Sequence, residues 1–211
     1  MKQFFSAGSS KRMESLSDGI MAIAATLLVL EIKVPNLPEN YSKEEMHRAF
    51  SEIVPSFIAF VFGFLNILVF WSNHDSIGKT LYYFDRKLTF LNIFFLLFIS
   101  LIPFTTAFIS EFPYSFEAIT VYGTILFLAS FFGAWMYYHI AFKSDLMHDS
   151  VSVDLRKKLW KQIRLGPVSF FAAILLGGIH VAIPICIYIL MPFFYMFMKD
   201  IDLVEGNKKD D

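Results

Sequence analysis

The chain has 211 residues, 56% of them hydrophobic and 26 of them phenylalanine, with 18 basic and 19 acidic side chains and a net charge of −1. Soluble domains are about 45–50% apolar, so the composition describes an integral membrane protein with little room for a soluble domain. The near-neutral balance gives no bulk electrostatic attraction for nucleic acid. The single cysteine, Cys186, lies in an apolar run and has no partner for an intrachain disulfide; it reads as a small hydrophobe. No CxxC, His/Cys cluster, Walker A, HExxH or Ser/His/Asp array is present, so neither an enzyme nor a resident metal or cofactor is expected.

A spanning helix needs roughly 20 mostly apolar residues. Residues 17–34 satisfy this first, ending at Pro35 and Pro38. Residues 1–16 are polar and the run has no small-residue cleavage site after it, so no cleavable signal peptide is expected. Residues 36–52 are polar and acidic and predict a loop that can hold a short helix. Further spans are predicted at 53–72, 88–109 and 116–142, the last two separated only by a short turn with Pro113. Residues 143–164 form a basic connection with a helical pattern of Leu155, Leu159, Trp160 and Ile163. The run 165–198 is too long for one span. Gly177-Gly178 divides it into a fifth span of about 158–176, entered from the basic helix, and a sixth of about 179–198. The six-span unit therefore covers 1–205, and the polar tail Gly206–Asp211 is expected to be disordered.

Six spans let the charge be counted by side. Fifteen of the 18 Lys and Arg fall on one side: Lys2, Lys11 and Arg12; Lys79, Arg86 and Lys87; six cations between Lys143 and Arg164; and Lys199, Lys208 and Lys209. The other side keeps Lys33, Lys43 and Arg48. This asymmetry predicts a multi-pass protein of the cytoplasmic membrane with both termini in the cytoplasm.

The first span carries acid at both ends, Asp18 and Glu31. An ionised carboxylate at membrane depth is costly unless paired or wet. Arg12 is six residues before Asp18, a spacing that does not stack on one helix face. Trp71, Asn73 and His74, at the end of the second span, are the donors best suited to tether Asp18. The other possibility is that Asp18 and His74 relay protons in a proton-coupled secondary transporter. That architecture uses internal repeats and discontinuous helices, and the sequence shows neither. Asn66 in the second span reads as an interhelical hydrogen-bonding amide.

At about 100° per residue, Asp18 points about 140° from Ile23. Ile23, Thr26, Leu27, Leu30 and Val34 share one stripe. Such a stripe either packs on a neighbouring helix or forms a hydrophobic constriction that closes by dewetting. With one hydroxyl inside it, we read the stripe as facing an ion pore. The small residues Ala22, Ala24 and Ala25 suit close helix packing on the other flank. Glu31 is either simply solvated or, repeated around an oligomer, an acidic ring that concentrates cations at an outer mouth. Thr120-Val-Tyr-Gly123 imitates a potassium filter, but it lacks the first glycine of that motif and opens an apolar span instead of a re-entrant loop.

The residues Arg12-Met-Glu-Ser-Leu16-Ser17-Asp18, followed by Gly-Ile-Met-Ala-Ile-Ala-Ala-Thr-Leu-Leu-Val-Leu-Glu-Ile, resemble the Arg-x-x-x-Phe-Ser-Asp opening of the transmembrane protein 175 family of potassium channels, with Leu16 in place of phenylalanine. Trp71, Asn73 and His74 are similar to that family's second-span signature. The strong resemblance covers residues 12–38 and 66–78. It implies an all-α subunit of six spans and one repeat, as in the bacterial members, assembled as a homotetramer with the first helix lining a central pore. It implies pore-constricting roles for Ile23, Leu27 and Leu30, and a potassium-favouring hydroxyl layer at Thr26 that holds potassium only in transit. It further implies a structural network of Arg12, Ser17, Asp18, Trp71, Asn73 and His74 outside the pore. The expected partners are potassium ions, the lipid bilayer and three further copies of the chain, and the expected setting is a bacterial inner membrane.

Overall fold

The computed structural model describes residues 7–198, the side chains of 7–10 excepted. Among the described residues seven α-helices follow one another: α1 (Ala7–Leu27), α2 (Lys43–Gly78), α3 (Arg86–Glu111), α4 (Phe116–Phe142), α5 (Val153–Ile163), α6 (Leu165–Gly177) and α7 (Ala182–Phe197). A 3-10 segment, Leu28–Glu31, extends α1. One isolated antiparallel bridge, Leu81 to Met147, is the only β pairing among the described residues. Five helical stretches, counting Val153–Gly177 as one, are long and apolar enough to cross a bilayer, and Ala182–Phe197 is a shorter apolar helix. The tail Gly206–Asp211 and the lysines Lys2, Lys199, Lys208 and Lys209 lie outside the described residues.

Three boundaries differ from the sequence reading, each for a local reason. The polar stretch expected as a loop is helical from Lys43 and runs unbroken into the second span. Ser42 starts it with a capping box: its hydroxyl accepts from the Glu45 N–H at 3.1 Å, and its own N–H donates to the Glu45 carboxylate at 2.7 Å. These bonds hold the exposed Glu45 carboxyl below the usual carboxylate range. At 1.5 Å per residue, the 36 residues of α2 extend about 54 Å, so the helix projects well beyond a hydrocarbon core about 30 Å thick. The second difference is at the other end of the chain. α5 and α6 meet at Arg164, because Pro167 has no N–H to donate to the Ile163 carbonyl one turn earlier. The third is at the start, where α1 begins ten residues before the apolar run and its last turn tightens to 3-10 before Pro35.

α4 is the centre of the bundle, touching α2, α3, α5, α6 and α7. Its glycines allow close approach. Gly123 faces Tyr188 of α7, whose hydroxyl lies 1.9 Å from where a Cβ would be and donates to the Ile119 carbonyl at 3.3 Å. Asn66 of α2 donates to the Tyr188 carbonyl at 3.3 Å, tying α2 to α7. On the basic side, the α2–α3 and α4–α5 connections are joined: Tyr82 N–H donates to the Leu146 carbonyl at 2.9 Å, and His148 N–H to the Thr80 carbonyl at 2.8 Å. His139 and Asp85 meet there at 2.8 Å, linking the end of α4 to the N-cap of α3. α1 stands apart, packing on α2 and α3 alone among the helices.

Gly123→Ala places a methyl group where the Tyr188 hydroxyl sits, so α7 must shift. We expect a loss of about 1–3 kcal/mol, read as a lower Tm in detergent. Gly133→Ala meets only the Phe95 ring, at 3.6 Å, and should leave Tm close to that of the unaltered protein.

Candidate functional site

α1 divides cleanly into two faces. Ser17, Met21, Ala24, Ala25 and Leu28 are buried against α2 and α3. Ala22, Ile23, Thr26, Leu27, Leu30 and Val34 are exposed. Ala22 therefore lies on the open side, not with the packed alanines where the sequence reading put it. Ile23 is 60% exposed, Leu30 71% and Val34 87%, a contiguous apolar strip uncovered in the subunit. The 3-10 turn sharpens the strip, because residues three apart eclipse at three residues per turn, setting Leu30 in line with Leu27. The Thr26 hydroxyl donates to the carbonyls of Ala22 at 3.0 Å and Ile23 at 2.9 Å. Its proton is thus taken up by the helix, and an oxygen lone pair remains for the open side. Glu31 is half-buried at the end of the 3-10 turn.

Behind this face a buried polar chain fixes α1. The Ser17 hydroxyl donates to the Met13 carbonyl at 2.9 Å and accepts from Asn92 Nδ2 at 2.9 Å. Asn92 Oδ1 lies 2.8 Å from His74 Nε2. With the amide nitrogen committed to Ser17, the amide oxygen must accept, so Nε2 carries the His74 proton. The His74 ring stacks on Phe95 with centroids 5.5 Å apart. One chain of fixed polarity therefore runs from α2 through α3 to α1. Ser17 and Asn92 are both 0% exposed and His74 is buried. Beside it, on the open side, Trp71 Nε1 donates to Asp18 Oδ1 at 3.0 Å.

Two residues expected in this network are elsewhere. Among the described residues, Arg12 makes no hydrogen bond or ion pair; its six-residue separation from Asp18 keeps the two on different faces of a continuous helix. Asn73 makes none either. Adjacent residues diverge by about 100° on a helix, so Asn73 turns from α1 toward a cavity of about 50 Å³ that it shares with Asn66, His74, Ser130 and Tyr195. That space is large enough to hold water. No hydrogen bond joins Asp18 to His74, so the two groups of the transporter alternative are held by different partners. Asn92 was missed by the sequence reading. The signal was present, a lone amide at membrane depth in an apolar span, the same feature that drew attention to Asn66.

A sequence profile of the family described as endosomal/lysosomal potassium channel TMEM175 matches residues 12–103. That range holds the open strip of α1 together with Ser17, Asp18, Trp71, His74 and Asn92. Over those residues the chain matches the TMEM175 family. A potassium channel of Chamaesiphon minutus is 29% identical over 87% of this chain and 92% of its own. The crystal structure of a lysosomal potassium-selective channel TMEM175 homolog from the same organism superposes with a TM-score of 0.76 at 28% identity, covering 90% of this chain and 97% of that one. An endosomal/lysosomal proton channel TMEM175 from Gallus gallus is 36% identical over 59% of this chain and 26% of its own. The fold is that of an all-α multi-pass membrane protein of a family of ion channels.

Replacing Asn92 by leucine leaves the His74 Nε2–H without its acceptor and removes the donor to the Ser17 hydroxyl, which keeps only its bond to the Met13 carbonyl. At about 1–3 kcal/mol for each buried group left unsatisfied, Asn92→Leu should lower Tm in detergent much more than Asn73→Leu, which breaks no hydrogen bond. Equal losses in the two variants would deny the chain its role in holding α1.

Proposed function

We propose that four copies of this chain form a potassium-selective channel in a bacterial inner membrane, with both termini in the cytoplasm and α1 of each subunit lining a central pore. The observation that carries this reading is the uncovered apolar strip of α1. A helix that buries one face through a satisfied polar chain while leaving Ile23, Leu27 and Leu30 open is built to meet its own copies around an axis. The similarity to a potassium channel over nearly the whole of both chains supports the same reading.

In such a ring, Ile23, Leu27 and Leu30 form successive apolar constrictions. A pore narrowed by branched aliphatic side chains empties of water and stops conducting without any plug. Thr26 contributes one layer of hydroxyl oxygens between them. Because each hydroxyl proton is already donated to the helix backbone, the oxygens are free to accept a cation in transit. One layer replaces few waters, and the smaller sodium ion costs more to dehydrate, so the preference for potassium is modest. Glu31, beyond the constriction, gathers cations at the outer mouth. Asp18, held by Trp71, stays on the flank of the helix and outside the pore.

Single-channel recording in planar bilayers tests the assignment. Ile23→Asn hydrates the constriction and should raise open conductance severalfold. Thr26→Ala removes the hydroxyl layer and should move the reversal potential toward sodium and potassium equality. Recordings unchanged by both substitutions, or a monomer in detergent by light scattering, would refute the proposal.

A further inference from the structure

Five cations crowd α5 and its end: Arg156, Lys157, Lys158, Lys161 and Arg164. Among the described residues the ion pairs are Lys79 with Asp75 and His139 with Asp85, so no carboxylate neutralises any of the five. At about 100° per residue, Lys157, Trp160, Lys161 and Arg164 occupy one arc of about 100° on the helix. Trp160 is seated by aromatic neighbours, its ring 5.4 Å from Tyr138 and 6.3 Å from Phe142. Trp160 and Arg164 together form the mouth of a groove of about 630 Å³. The groove runs along α4 and α6 between Phe127, Phe131, Trp135 and Phe171, and apart from Arg164 its walls are almost wholly apolar and aromatic. α5 and α6 do not touch α1; resting on the proposed assembly around α1, the groove therefore lies away from the central axis.

We propose that this groove is a binding site for an anionic phospholipid, with an acyl chain lying between α4 and α6 and the phosphate held by Arg164 and Lys161. The groove has the polarity of such a lipid: a cationic mouth at the level of the tryptophan and tyrosine belt, then an apolar trough descending toward the bilayer centre. The planar guanidinium of Arg164 matches two phosphate oxygens at once, and the Lys161 ammonium adds a second charge next to it. Juxtamembrane cations of this kind attract anionic headgroups, and basic pockets between spans select them. The break between α5 and α6 contributes directly, since it places Arg164 at the joint where the surface helix becomes the membrane helix. A neutral lipid fills the trough but leaves the cations unpaired, and free phosphate has nothing to place in the trough.

The test uses the purified full chain in detergent, stripped of lipid and titrated with phosphatidylglycerol or phosphatidylcholine of identical chains, with bound lipid read by native mass spectrometry. Phosphatidylglycerol should be retained in preference to phosphatidylcholine, and Lys161→Gln/Arg164→Gln should weaken its retention about tenfold. Lys33→Gln/Arg48→Gln, which removes the same charge from the other side, should leave retention unchanged. Phosphatidylglycerol brominated on its chains should quench the fluorescence of the unaltered protein more than brominated phosphatidylcholine does at the same mole fraction, and Trp135→Phe/Trp160→Phe, which removes both tryptophans of the groove, should abolish the difference. Equal retention of the two lipids, equal loss in both double variants, or equal quenching by the two brominated lipids would overturn the site. Displacement of the lipid by inorganic phosphate would do so as well, because it would show an anion site with no chain-binding trough.

Discussion

The position of α1 depends on three side chains, Ser17, Asn92 and His74, strung in one hydrogen-bonded line across three helices. The line has a single consistent direction: the imidazole donates to the amide, the amide to the hydroxyl, and the hydroxyl to a carbonyl of its own helix. No member can be exchanged for an apolar residue without stranding another in a medium that offers no water. In lipid, helices gain little from apolar contact with one another, and polar pairs and close packing decide which helix sits where. α1 has few contacts apart from α2 and α3, so this line fixes which of its faces is turned inward. The outward face follows by default. The same constraint that anchors the helix therefore presents Ile23, Thr26, Leu27 and Leu30 to whatever lies beyond the subunit.

The subunit thus has two parts with different tasks. α4, with α3, α6 and α7 around it, is a packed body in which Gly123 and Tyr188 meet with no space to spare. α1 is a rod laid on one side of that body. The connections on the basic side are pinned by main-chain bonds between Tyr82 and Leu146 and between His148 and Thr80. These give the body a stiff floor beneath the end of α2 where Trp71 and His74 reach α1. Stiffness there keeps Trp71 and His74 in register with their hydrogen-bond partners, Asp18 and Asn92.

Much of this was legible in the sequence because the bilayer simplifies the problem. Length and apolarity located the helices, and the placement of lysine and arginine sorted the connections by side. The stripe on α1 could be read from spacing, and Trp71 was among the three donors at the end of the second span expected to reach Asp18. The errors came where that reasoning is blind. Hydropathy stops at the last apolar residue, so residues 36–52 read as a loop with room for a short helix and not as the start of the second span, although Ser42 and Glu45 spell a capping box and Met46, Ala49, Phe50 and Ile53 keep helical spacing. Asn73 is an amide donor at the right end of the second span, but one step along a helix turns a side chain to another wall, here the small cavity behind the network. Asn92 was overlooked because attention went to a motif and not to every amide in the membrane. Its partners come from residues 75 and 18 positions away, a pairing that only the packing of three helices creates.

The short 3-10 turn has a geometric consequence of its own. Between Leu27 and Leu30 there are three steps, each about 120° in a 3-10 helix and about 100° in an α-helix. Rewinding that segment as α-helix would swing the Leu30 side chain through about 60° and draw it back along the axis, while everything before Leu27 stayed in place. The Leu30 side chain can thus be re-aimed by a change of pitch in a single turn, with no tilt of the rod and no break in the bonds that hold it to the body.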